Sequence, residues 1–446
     1  MKRIFSKLLI LLAASFLLPL CEGGGCALAQ SSGMLSPYSR FGLGLVHDQS
    51  QGFNKAMGGV GLGVRMGNRV NTSNPASYAF IDSMSIIFDV GMTASFGGMR
   101  QDGKSVAVKG ASFDYAHVGM HIAKNLGLAA GFMPYTRIGY SYSSPESQKS
   151  VIGYNPNTGV ANILSETYSG EGGLNQAYLG LGWRVFRGLS VGANASFVWG
   201  SYTQTFAGSI SESGSTIGAF AVVKNASLRT YKIDLGVQYP VRLTRQDWLS
   251  LGLTTGLGHK IKQDVAILVG EDLDSIPSPF DLPYSFGFGA AWQHKNTLLV
   301  AADLHHELWS NCRQPMASTT ADGYVPDGYV PMKGGYGNRT KIAVGAQWTP
   351  NPFDTNYWKR VQYRAGANFT TPYLKMNGTN GPYEFSMSVG AGIPITNRIN
   401  NRSYVNAGLQ WLRRSSSHEG MITENYLLVN IGITFNERWF MKYKIE

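Results

Sequence analysis

Few stretches of this 446-residue chain carry residue types whose spacing could do chemistry. Gly98-Met99-Arg100-Gln101-Asp102-Gly103-Lys104-Ser105 fits the spacing of a phosphate-binding loop, and Leu298 to Asp303 imitates its acidic partner strand. Such a loop works only if a helix follows its serine, because the first amides of that helix hold the phosphate. Here Val106-Ala107-Val108 follows, then the alternating run Phe113 to Ala123, which reads as strand. Gly98 to Ser105 is therefore expected to be a glycine-rich hairpin loop. His305-His306-Glu307 lacks the one-turn spacing with which a helix offers two imidazoles to zinc. No GxSxG elbow is present. These residues point away from an enzyme, and no cofactor, catalytic residue or metal ligand is expected.

Charge excludes a second class. The formal net charge is +11, yet only 15% of residues are charged, against about 25% in ordinary soluble domains. No basic run interleaves with aromatics, so nucleic acid is not the expected partner. Pairs such as Lys359-Arg360 and Arg413-Arg414 suit turns and loops facing anionic lipid headgroups of an outer membrane.

The N-terminus reads as an export signal over residues 1–29. Lys2, Arg3 and Lys7 precede the apolar run Leu8 to Leu20, and Ala27-Leu28-Ala29 supplies the small-x-small cleavage pattern before Gln30. Neither Cys21 nor Cys26 sits in the context of a lipidated cysteine. Only Cys312 lies beyond the signal, so no internal disulfide is expected in the mature chain. No later stretch approaches the roughly 18 apolar residues that a membrane helix needs.

The elements that would position any site are strands. Leu189, Val191, Ala193, Ala195 and Phe197 alternate with Ser190, Gly192, Asn194 and Ser196; Tyr231 to Tyr239, Leu249 to Leu253 and Leu427 to Phe435 do the same. These runs exceed an ordinary strand and match the roughly 9–11 residues of a tilted membrane-crossing one. Fourteen begin near Ser85, Lys109, Leu126, Gly173, Leu189, Ala226, Asp247, Leu282, Thr297, Asn338, Lys359, Tyr383, Arg402 and Ile422. Tight turns at Lys124-Asn125, Arg187-Gly188, Leu243 to Gln246 and His294 to Asn296 alternate with long polar stretches: Ser144 to Glu171, Thr203 to Asn225, Asp264 to Asp281 and Cys312 to Gly337. Short turns on one side and long loops on the other predict an all-β fold, a transmembrane antiparallel β-barrel with its long loops outside the cell. Trp199, Trp248, Trp292, Trp309, Trp348 and Trp411 lie near segment ends, as in an interfacial aromatic girdle.

Residues 30–83 alternate poorly, and a barrel of this size has an interior that wall side chains alone do not fill. This segment is expected to be a plug, with the barrel over 84–446. Pro134 falls in the middle of the long run Leu126 to Ser143; because proline cannot donate to a ladder, a bulge or failed pairing is expected there.

The chain resembles the long-chain fatty-acid transporter (FadL-like, TodX-like) outer-membrane family. The residues that carry this are Ala56-Met57-Gly58-Gly59-Val60-Gly61, Asn74-Pro75-Ala76 and Gly131-Phe132-Met133-Pro134-Tyr135. Pro283 to Trp292, Ala302-Asp303 to Trp309-Ser310, and Glu424-Asn425-Tyr426 to Trp439-Phe440 add to it. The resemblance implies passive uptake of a hydrophobic small molecule, fatty-acid-like or aromatic. Asn74, Pro75 and Ala76 would then hold a hatch closed. Phe132, Met133, Pro134 and Tyr135 would rim a lateral opening in a kinked third strand. Basic ligand-contacting residues cannot be located by motif. The alternative is a barrel that partners a protein secretion system and docks exported proteins through its long loops; a general porin is disfavoured by a lumen face rich in Gly, Ser and Asn.

Overall fold

The structure, a computed structural model, describes residues 35–144, 149–186, 188–212, 214–269, 272–319, 326–376, 378–395, 402–418 and 420–438. The expected export signal, Cys21 and Cys26 included, lies outside them, as do Gln30 to Met34 and Trp439-Phe440.

Fourteen antiparallel strands close into a barrel. They are β1 Ser85–Gln101, β2 Lys104–Ala123, β3 Leu126–Ser143, β4 Ala161–Phe186, β5 Leu189–Glu212, β6 Ser215–Arg242, β7 Asp247–Gly256, β8 Ser285–His294, β9 Leu298–Glu307, β10 Arg339–Trp348, β11 Gln362–Thr370, β12 Tyr383–Ile395, β13 Ser403–Ser415 and β14 Thr423–Arg438. Closure comes from β1 against β14, in register from Ser85↔Arg438 to Arg100↔Thr423. Tight turns on one rim use left-handed residues at Asn125 (φ 69°), Gly188 (φ 87°) and Lys295 (φ 51°). No helix among the described residues is long and apolar enough to cross a membrane.

Alternation explains the wall. Leu179, Leu181 and Trp183 on β4, Phe197 on β5, and Tyr231, Leu235 and Tyr239 on β6 point outward and are exposed, as a lipid-facing belt requires. Above the belt the outward residues turn polar, with Thr167 and Glu171, Ser201 and Thr203, and Asn225 and Ser227. Here the expected loops differ from the structure. β4, β5 and β6 run 26, 24 and 28 residues, so much of Ser144 to Glu171 and Thr203 to Asn225 is strand. Both faces of these extensions are polar or mixed, so they lack the apolar period that marks the belt. Trp309 also departs from the girdle. A short 3-10 turn (Trp309–Asn311) after β9 brings it inside, where its indole donates to Glu307 at 2.6 Å. The Gly98 to Ser105 stretch is the end of β1, an Asp102-Gly103 turn and the start of β2; no helix follows, and no phosphate loop forms.

The many glycines find their reason inside. Cross-strand pairs Gly127↔Gly182, Gly192↔Gly236, Gly252↔Gly289, Gly345↔Gly366 and Gly390↔Gly408 face the lumen. A Cβ on them would strike or, at Gly408, touch the N-terminal segment. Gly390 and Gly408 meet Ala56, Gly366 and Gly345 meet the Met57 backbone, and Gly252 meets Leu62. Gly236 and Gly192 meet Asn74 to Ala76, and Gly182 and Gly127 meet Tyr78 and Ala79. The segment therefore travels round the inner wall in strand order, from β14 back to β3. Glycine weakens a strand, and it is used where another backbone must approach closely.

Candidate functional site

Asn74 caps the 3-10 turn Pro75–Phe80: its Oδ1 accepts from the Ala76 amide at 3.1 Å. Its Nδ2 donates to the Leu62 carbonyl (3.0 Å) and to the Val237 carbonyl of β6 (3.2 Å). Asn74, Pro75 and Ala76 are all buried, so one side chain ties the segment to itself and to the wall. Asp303 of β9 adds a second tie, accepting from the amides of Gly61 (2.6 Å) and Leu62 (2.9 Å). Lys55 makes a third, 2.6 Å from Asp114 of β2, with both side chains buried.

At Pro134 the wall changes. β3 pairs with β2 only from Leu126 to Phe132, where Phe132 faces Ala116. On the β4 side the register shifts between Pro134↔Asn175 and Thr136↔Leu174, leaving Tyr135 as the extra residue of a bulge. Proline, with no amide proton, suits that position. Beyond it, Met133 to Ser143 has left β2, and among the described residues no strand pairs with the other edge of β2 from Lys104 to Tyr115. Met92 and Phe96, opposite Phe113 and Lys109, are exposed outward, so the lower part of this gap lies within the lipid-facing belt.

The freed edge of β3 is covered by the N-terminal segment. Leu45 and Val46 pair with Arg137 and Thr136. His47 N–H donates to the Tyr135 carbonyl (3.0 Å), and Ser36 N–H to that of Gly139 (2.9 Å). Phe132 looks to the lipid side, 5.8 Å from both Phe113 and Trp199. Met133 and Tyr135 are buried on the inner side. The four residues thus border the gap on both faces.

Two cavities flank residues 39–47. One, of about 100 Å³, is lined by Leu45 to Asp48, by Lys55 of the same segment and by charged wall residues, among them Asp114, Arg137, Arg339, Glu384 and Arg414. The other lies above it, near the outer mouth, and measures about 270 Å³. Rings on β3, β4, β5 and β6 climb toward it: Tyr140 to Tyr142 (5.9 Å), Tyr142 to Tyr168 (5.3 Å), Tyr168 to Phe206 (4.9 Å) and Phe206 to Phe220 (5.6 Å). Arg40 lies 4.2 Å over Tyr168 and donates to the Tyr142 hydroxyl at 2.9 Å. Lys224 lies 4.3 Å over Tyr329. Burial first, then the Arg40 charge, pushes the Lys224 ammonium down to about 8. Lys224 sits above the belt of β6, which spans Tyr231 to Tyr239.

None of these basic residues was legible in advance. Arg40 comes from a stretch with no period, and Lys224 from a stretch read as loop. The only signal was the density of Tyr and Phe at inward positions of neighbouring strands.

A closed barrel of this strand number, with its N-terminal segment in the lumen and a belt of apolar residues outside, is an outer-membrane protein. The same fold occurs in a toluene transporter from Ralstonia pickettii (TM-score 0.58, 15% identity, 88% of this chain and 99% of that one). It occurs also in the Pseudomonas putida toluene transporter TodX (0.53, 15%, 89% and 100%) and in a Pseudomonas aeruginosa FadL homologue (0.53, 12%, 89% and 98%). Its family model is BamG, which matches residues 13–446, and the chain belongs to the BamG family. No curated protein matches the sequence.

Proposed function

We propose that this barrel admits a hydrophobic small molecule from outside the cell and releases it sideways into the membrane. The observation that carries this is the position of residues 39–47. They lie between an aromatic cavity among the strand extensions above the belt and the gap in the wall beside β3. Below them the lumen is filled with charged side chains and the glycine-seated segment, a poor route for an apolar solute. In this reading Asn74, Pro75 and Ala76 keep the plug seated. Phe132, Met133, Pro134 and Tyr135 form the rim past which the ligand leaves. The solved relatives of this fold that transport toluene support the reading, as does the sequence resemblance. Its test is the rate at which N-phenyl-1-naphthylamine enters intact cells of a Gram-negative host. Expression should raise the rate in proportion to protein in the outer membrane. Equal rates with and without the protein would sink the proposal.

A second reading has its own observation. The strand Ser150–Tyr154 pairs with β4 through Ala161 to Leu164, and its other edge is unpaired among the described residues. Val151, Ile152 and Tyr154 are 54%, 49% and 67% exposed. An edge without proline or charge is a template for another strand. This favours a docking role toward exported or surface proteins. Ile152→Pro should abolish co-purification of such a partner while the barrel still folds; unchanged co-purification excludes this edge.

A further inference from the structure

We infer that the cavity at the outer mouth binds a small aromatic carboxylate, its ring against Tyr168 and Phe206 and its acid group between Arg40 and Lys224. The consequence for transport rests on the uptake reading above, whereas the binding site rests on its own lining. That lining holds two cations and no carboxylate. Arg40 is engaged with the Tyr142 hydroxyl and with the ring faces of Phe41 (4.9 Å) and Tyr168 (4.2 Å). Lys224 has its ammonium over the ring of Tyr329. Neither makes an ion pair among the described residues. Glu166, on β4, accepts instead from the Tyr168 hydroxyl at 3.0 Å. Two partly buried cations held near each other without a counter-ion raise each other's cost, and an anion placed between them removes it.

The rest of the lining sets the body of the ligand. Seven of its sixteen lining residues are aromatic, and rings favour a flat π-system in offset or edge contact. Size sets an upper limit. A cavity of roughly 150 Å³ takes a benzene, so about 270 Å³ takes one or two fused rings with an acid group but not a long alkyl chain. A neutral hydrocarbon would fill the space and leave both cations unpaired.

The test is equilibrium dialysis of 1-naphthoate and of 1-naphthamide, its uncharged counterpart, against the full-length protein in detergent. The wild type should prefer naphthoate by roughly tenfold or more, the worth of one charge-assisted hydrogen bond. K224Q and R40Q should each shrink that ratio, the double variant should bring it near one, and K224R should keep it. Unheated gel mobility reports whether each variant is folded. A wild type without the preference, or a folded double variant that retains it, overturns the site. In either case the uptake of N-phenyl-1-naphthylamine by cells decides the transport reading separately.

Discussion

The lower lumen and the outer mouth are built on the same strands, yet they are filled in opposite ways. On β3 to β6 the lower inward positions are Gly127, Gly182, Gly192 and Gly236, and the N-terminal segment lies directly on them. A few turns of alternation higher, the same strands present Tyr140, Tyr168, Tyr202 and Phe206, and a cavity remains between them. The size of the inward residue thus decides whether a region of the lumen is occupied by the chain itself or left for something else. Between the two lies the charged layer, where Lys55 and Asp114 fasten the segment to the wall.

The largest break in this contrast should come from Lys55→Met. It leaves Asp114 buried without its cation, a loss of about 3–5 kcal/mol by analogy with other buried pairs. The temperature at which the barrel loses its compact gel mobility should fall, and conductance in planar bilayers should rise as the segment loosens. Unchanged conductance would mean that the glycine seat holds the segment alone.

A smaller effect separates the two regions directly. Gly366→Leu drives a side chain into the Met57 and Gly58 backbone, which cannot rotate away, and should cost about 1–3 kcal/mol. Val222→Leu adds bulk to the aromatic cavity, where there is space, and should leave thermal stability within about 0.5 kcal/mol. Equal losses for both would erase the distinction between seat and cavity.

Smaller again is the removal of one ring. Phe206 stacks on Tyr168 at 4.9 Å and meets Phe220 at 5.6 Å. Phe206→Ala should weaken 1-naphthoate binding roughly three- to tenfold, the worth of an aromatic pair, with little change in the lower lumen's protection from protease.

The last effect in this order is one of pH. Lys224, with its ammonium pushed down to about 8, loses its charge as pH rises through that value. Arg40 and the Tyr329 ring face it, and Glu166 is bound to Tyr168. Naphthoate affinity should therefore fall between pH 7 and 9 in the wild type, and much less in K224Q, whose affinity is already low. A flat profile in the wild type would place Lys224 away from the acid group.

How far the sequence reaches follows the same division. The belt was legible because lipid on one face imposes a strict period of two over a bilayer's thickness. Most strand starts therefore fell close to their observed places, and several, such as Ser85, Leu126, Leu189, Asp247 and Tyr383, coincide; the starts expected near Gly173 and Ala226 fell inside strands that begin at Ala161 and Ser215. Pro134 was legible because a missing amide proton has one local consequence, a bulge. The strand extensions above the belt were not, since water on both faces imposes no period. The clasp of Lys55 to Asp114 and the seat of Asn74 on β6 join residues 59 and 163 positions apart, which no local pattern encodes. Cys312, expected in an exposed polar loop, is 2% exposed, and burial pushes its thiol up to about 12.

The central claim is that ligand passes residues 39–47 and leaves through the gap beside β3, and one lock tests it most directly. Val46 and Thr136 are cross-strand partners, a spacing that a disulfide can bridge. In the Val46→Cys/Thr136→Cys variant, oxidation would fasten the segment onto the freed edge of β3. The native Cys312 is buried and should not compete. Uptake of N-phenyl-1-naphthylamine by cells carrying the oxidised variant should drop to the rate of cells without the protein and return on reduction. Uptake at the wild-type rate with the disulfide formed would contradict the lateral route.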